Sequence, residues 1–201
     1  MTPHPPRLPG LPDLPDLTEA FSTERLHLRC PRPGDGAELF QAVTETLPQL
    51  RQWPASLPWA LHEPSAEASE SFCRAGHAAF HAREEFPLLM YLKTGGTLVG
   101  AIGLHDVAWD VPEAEMGYWC RSAFQGRGLV SEAAQGLTQW AFSALGARRV
   151  FSRTDAQNTP SRRVLERAGL QLEGVLARDR VWPDGSLRDT CIYGITRSKL
   201  R

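Results

Sequence analysis

Between Glu113 and Thr154 the hydrophobic period of the chain changes twice, and this restricts the fold more than any other feature. Glu113 to Cys120 alternates, with Ala114, Met116, Tyr118 and Cys120 on one side and Glu115 and Trp119 on the other, as in a half-buried strand. Leu129, Ala133, Leu137 and Ala141 then recur every fourth residue, widened by Val130, Trp140, Ala144 and Leu145 into an amphipathic helix that Gly146 can end. Arg148 to Thr154 reads as a further strand. Strand, helix and strand in this order form a crossover between two parallel strands, which belongs inside a sheet covered by helices.

The turn entering the helix is Phe124-Gln125-Gly126-Arg127-Gly128-Leu129-Val130-Ser131. First-turn N–H groups of a helix lack intrahelical partners and carry partial positive charge, so an anion fits there. Gly126 and Gly128 have no Cβ to obstruct a phosphate, and Arg127 adds a full charge. The plain structural reading of the same residues is a glycine-eased connection without a ligand. Two phosphate motifs fail on residues. No Gly-Lys-Ser/Thr ending is present, and a dinucleotide fingerprint would need glycine at Ser131 and an acidic residue near Ala147–Arg149.

Six of the sixteen prolines lie by residue 15, which predicts an extended, dispensable tail over residues 1–20 and one domain over 21–201. Leu26 and Leu28 alternate with Arg25, His27 and Arg29 as a strand. Asp35 is placed to cap a helix carrying Leu39, Phe40, Val43 and Leu47, with Pro48 as its limit. Gln49 to Pro64, with Trp53 and Trp59 among its prolines, is a substrate-loop candidate or simply an aromatic-anchored connection. Ser65 can cap a helix with Ala68, Phe72, Ala75 and Ala79 on one face. Thr94-Gly95-Gly96 reads as a hairpin between strands 86–93 and 97–106, and Trp182-Pro183-Asp184-Gly185 as the turn between the last two strands. The expected fold is α/β (α+β): a mixed, mostly antiparallel sheet of about seven strands with helices on both faces.

Nothing approaches the roughly eighteen apolar residues of a membrane span, and the start lacks the pattern of a signal peptide, so a cytoplasmic protein is expected. Cys30, Cys73, Cys120 and Cys191 are scattered, no histidine stands at ligand spacing to them, and no metal site is expected. The formal net charge of −1 conceals an acidic first part, with 16 Asp/Glu against 8 Lys/Arg in residues 1–120. Residues 121–201 are basic, with 14 Lys/Arg against 7 Asp/Glu. The acidic half suits a cationic amine and the basic half suits phosphates, or the two halves simply attract one another. Without a dense basic run, nucleic acid is not an expected partner.

Gln125-Gly126-Arg127-Gly128-Leu129-Val130 resembles the acetyl-CoA pyrophosphate loop of the GNAT superfamily of N-acetyltransferases, with valine replacing the last small residue. Thr23-Glu24-Arg25-Leu26-His27-Leu28-Arg29, Ala114-Glu115-Met116-Gly117-Tyr118-Trp119 and Asn158-Thr159-Pro160-Ser161 with the residues to Leu176 are similar to segments of its RimJ/RimL-type branch. The resemblance implies a sheet that splays between its fourth and fifth strands to admit acetyl-CoA. It implies that Gln125, Gly126, Arg127, Gly128, Leu129, Val130 and Ser131 hold the pyrophosphate, with Arg127 or Arg162 adding side-chain charge. Backbone groups at Trp119 and Cys120 would pair with the pantetheine. Asn158 would meet the cofactor's amides, although asparagine is also a good N-cap.

By the same resemblance, Ser161 lies near the CoA sulfur as proton donor, and Glu115 acts as base through water. The branch's glutamate before the last hairpin is replaced in Arg178-Asp179-Arg180, which leaves Asp179 as a substitute base. The implied activity is acetyl-CoA-dependent N-acetylation of a primary amine, such as a peptide N-terminus. A small amine and a non-catalytic acyl-CoA-binding module are the rival readings, and a homodimer is left open.

Overall fold

The computed structural model describes residues 17–54 and 57–199. Its strands are β1 (Ala20–Ser22), β2 (Leu26–Arg29), β3 (Phe86–Leu92), β4 (Leu98–Ala108), β5 (Glu113–Cys120), β6 (Arg149–Asp155), β7 (Gln171–Val181) and β8 (Leu187–Thr196). Helices α1 (Gly36–Leu50), α2 (Ala66–Ala82), α3 (Leu129–Ala144) and α4 (Thr159–Arg167) connect them. The sheet order is β1-β2-β3-β4-β5-β6-β8-β7, and β5–β6 is its parallel pair. The fold is the expected mixed, mostly antiparallel sheet with helices on both faces, carrying eight strands rather than about seven. The additional strand, β1, is three residues long, too short to show a period.

Alternation along the strands builds the two faces. Leu88 and Met90 of β3 join Leu26, Leu28 and the inner stripe of α3 in the main core, whereas Leu89 and Tyr91 pack with Leu39, Val43 and Cys73 of α1 and α2. Fully burying each such side chain contributes about 1.5–3 kcal/mol. Phe80, Phe86 and Trp140 close one side of the main core, with ring centroids 5.4–6.1 Å apart.

Several expectations shift on contact with the fold. The buried stripe of α2 is Ser69, Cys73, Gly76 and Phe80, one residue on from the expected one, and Phe72 is exposed. Ser65 does cap this helix, its hydroxyl accepting from the Ala68 N–H at 3.0 Å. Asp35 occupies the N-cap of α1 without capping it, because its carboxylate accepts two hydrogen bonds from Arg29 and one from the Arg32 N–H. The same helix runs through Pro48 to Leu50. Most of the expected tail, residues 1–16, lies outside the described residues. Leu17 packs on the main core and the Glu19 carbonyl accepts from the Cys30 N–H, so described structure starts ahead of residue 21.

Candidate active site

The site begins where two strands separate. β5 and β6 pair only at Glu113–Glu115 with Arg149–Phe151. Beyond this point β5 pairs only with β4 and β6 only with β8, so Met116–Cys120 presents one edge without a strand partner. A cleft of about 870 Å³ occupies the gap and is lined by Glu115, Trp119, Cys120, Gln125, Gly126, Gly128, Leu129, Val130, Ser131, Asn158 and Ser161. The expected splay and most of the expected site residues meet there, while Arg127 is not among the lining residues.

The glycine turn has the shape an anion requires. Gly126 and Gly128 take φ of +74° and +75°, and Gly128 is the N-cap of α3. A Cβ at Gly126 would meet nothing within 4 Å, and one at Gly128 only the Arg25 guanidinium at 3.6 Å. Leu129 and Val130 put their side chains into the main core, so only their backbone N–H groups are available to a ligand. The Ser131 hydroxyl is buried in the cleft wall without a hydrogen-bond partner among the described residues. Open space, free N–H groups and an orphaned hydroxyl fit a pyrophosphate.

Other residues brace this turn. The Gln125 side-chain amide donates to the Cys120 carbonyl at 3.2 Å, tying turn to strand end. Arg127 lies over the Phe124 ring, 5.2 Å from its centroid. Its carbonyl accepts from Arg25 Nη1 at 3.0 Å, and Arg25 Nε donates to Glu132 in the first turn of α3 at 2.6 Å. The Arg25 N–H and the Thr23 hydroxyl also donate to Glu132. Sequence reasoning had given Thr23 and Arg25 no role beyond the opening strand. Arg162, a candidate phosphate ligand, instead donates to the Tyr193 hydroxyl and the Ala156 carbonyl.

At the other end of the cleft, Asn158 caps α4, its Oδ1 accepting the Ser161 N–H at 3.1 Å. The Ser161 hydroxyl is 2.8 Å from the Tyr118 hydroxyl. Burial pushes the Tyr118 phenol well above its ordinary range, a shift that the bond to Ser161 only partly offsets, so it stays protonated at neutral pH. Tyr118 was legible as a strand residue, but nothing in the sequence pairs it with a serine 43 residues away. Glu115 is 7% exposed, ion-paired to Arg153 at 2.9 Å, and opposite His105 on β4. His105 and Asp106 line the cleft beside it, as do Asp155 and Asp189, but Asp179 does not. The 49–64 segment forms the rim through Trp53, Leu57 and Pro58, and Trp59 meets Trp119 edge to face at 6.4 Å.

A split parallel pair, an anion-binding helix start in the gap, and a hydroxyl pair beyond it define a transferase that takes an acyl-CoA. The chain belongs to the family described as acetyltransferase (GNAT) domain, whose profile matches residues 25–171. It is 28% identical over 178 residues to YdaF of Bacillus subtilis, named as a candidate ribosomal N-acetyltransferase, covering 87% of this chain and 92% of that one. To the ribosomal-protein-serine acetyltransferase of Escherichia coli it is 28% identical over 154 residues, 77% and 83% of the two chains. The solved structure of Mycobacterium smegmatis RimJ in complex with CoA-disulfide superposes with a TM-score of 0.79 at 25% identity, covering 95% of this chain and 90% of that one. The protein is an acetyl-CoA-dependent N-acetyltransferase of RimJ/RimL type.

Proposed function

We propose that the protein acetylates the amine of a protein N-terminus, with Ser161 as proton donor and Glu115 as proton acceptor. The observation that carries this reading is the polarity of the cleft: the Ser161–Tyr118 hydroxyl pair on the side of α4, and the Glu115 carboxylate of β5, within 4.8 Å of His105 and Asp106 and ion-paired to Arg153. Bound acetyl-CoA supplies the thioester. As the amine nitrogen bonds to the carbonyl carbon and the C–S bond breaks, Glu115 takes the amine proton through water. Ser161 gives its proton to the sulfur while Tyr118 hydrogen-bonds the serine oxygen, and the proton that Glu115 took returns to Ser161 through solvent, which restores both groups.

The α-amine needs little help, because its pKa is about 8 against about 10.4 for lysine. Trp53, Leu57 and Pro58 at the rim offer apolar surface to the chain behind such an amine. The Escherichia coli relative's name, a ribosomal-protein-serine acetyltransferase, supports a protein acceptor. Acetyl-CoA turnover, followed by thiol release, over a panel of N-terminal peptides and small amines tests the proposal. Turnover confined to polyamines, amino acids or aminoglycosides would replace it with the small-amine reading.

A further inference from the structure

We infer that Glu19, His77 and His81 form a divalent-cation site, suited to Zn²⁺, which clamps the segment leading into β1 to α2. One ligating atom from each residue lies within 4.8 Å of the other two. His77 and His81 are one helical turn apart on α2, which sets them on one face with ring centroids 4.6 Å apart. His77 Nδ1 lies 3.0 Å from the Pro31 carbonyl oxygen. A carbonyl only accepts, so Nδ1 carries the proton of the neutral ring and Nε2 keeps its lone pair, the state that metal-ligating histidines hold by such outer hydrogen bonds.

Glu19 is prepared in a similar way. Its backbone carbonyl is fixed by the Cys30 N–H at 2.7 Å, one carboxylate oxygen accepts from Arg32 at 3.1 Å, and the other is 3.1 Å from His81 Nε2. Ligand atoms of a tetrahedral zinc stand about 3.3 Å apart, given bonds of about 2.0–2.1 Å. The Glu19–His81 edge already has that spacing. The remaining edges close by rotation of side chains that solvent leaves free, since the His81 side chain is 52% and that of Glu19 31% exposed. Two imidazoles and one carboxylate favour zinc over calcium or magnesium, which prefer all-oxygen shells. The Arg32 guanidinium opposes a cation, so the site binds more weakly than a four-thiolate centre.

The group lies apart from the cleft, none of its members lining it, and acetyl transfer does not involve it. Its effect is mechanical. Glu19 leads directly into β1, and the same strap carries Thr23 and Arg25, which hold Glu132 beside the glycine turn.

The test is a Zn²⁺ titration of the untagged full chain in competition with a chromophoric chelator, with Co²⁺ absorption reporting geometry. One equivalent should bind. His77→Ala, His81→Ala and Glu19→Gln should each weaken binding at least about tenfold, as loss of a ligand requires, whereas His105→Ala should not. Wild-type Tm should rise with Zn²⁺ and that of His81→Ala should not; His81 is half-exposed, so this variant keeps its fold. Absence of saturable binding would overturn the site. So would tight binding indifferent to His81→Ala and Glu19→Gln, which would assign the metal to His105, Asp106 and Glu115 or to the thiols.

Discussion

Ser161 and Tyr118 show how two hydroxyls, one of them the proposed proton donor, are held together across the cleft. Ser161 sits in the first turn of α4 under the Asn158 cap, and Tyr118 reaches it from the part of β5 that has left β6 and pairs only with β4. Ser161→Ala should lower kcat about 10²-fold with little change in CoA affinity, since the interaction strengthens only as charge develops on sulfur. Steady-state kinetics with CoA calorimetry separates the two, and alkaline buffer should restore nothing. Glu115→Gln should also slow turnover, but its rate should recover partly as pH rises and more free amine becomes available; a wild-type pH profile would remove Glu115 from the mechanism. Cys120 gives a second pH readout. Burial, only partly offset by Arg127, pushes its thiol up to about 11. It is therefore a neutral thiol at pH 7, and its alkylation should be slow there and accelerate towards pH 11.

The glycine turn works as an element, because it is held from both ends. Gly128→Val should abolish CoA binding by calorimetry while circular dichroism stays native. The branched side chain crowds the Arg25 guanidinium, 3.6 Å from where its Cβ would sit, and so displaces the turn whose N–H groups meet the anion, while positive φ at a non-glycine residue costs only about 1–2 kcal/mol. The Arg25–Glu132 brace acts on the same backbone from behind. Arg25→Ala should raise KM for acetyl-CoA about tenfold with kcat nearly unchanged, as loss of one hydrogen bond to a charged donor implies. An unchanged KM would show that the turn holds its shape without the Arg25 side chain. Elements near α1 follow charge in the same manner. Burial alone would raise the Asp35 carboxyl, but hydrogen bonds from Arg29 and the Arg32 N–H outweigh it and hold the carboxyl below its ordinary value. The unfolded chain therefore takes up this proton first. The pair's stabilisation is complete above about pH 4–5 and is lost as pH falls through the folded value. Asp35→Asn should cost about 1–2 kcal/mol at pH 7 and flatten the acid limb of a Tm–pH curve.

Across the whole molecule, the N-terminal strap ties both helical layers to the sheet edge. Phe21 stacks on Trp140 at 5.8 Å while Glu19 bonds Arg32 and His81 from the side of α2. A chain starting at Leu17 should keep its Tm. One starting at Thr23 should lose about 2 kcal/mol, the burial of a phenylalanine and its ring contact, as thermal melting would report. Local pattern determined much of this molecule by itself: the crossover, the glycine hairpin at Thr94–Gly96, the turn at Trp182–Gly185 and the anion-ready start of α3. Each depends on neighbours within a few residues, through period, backbone freedom or proline geometry. The α2 stripe was displaced by one residue because its alanines fit either face, and only the opposing surface of β3 and α1 selects Cys73 over Phe72. Only tertiary structure brought Tyr118 to Ser161, Arg153 to Glu115, Arg25 to Glu132 and Glu19 to His81. These partners lie far apart along the chain, and a hydrogen bond between distant residues leaves no periodic trace in the sequence of either.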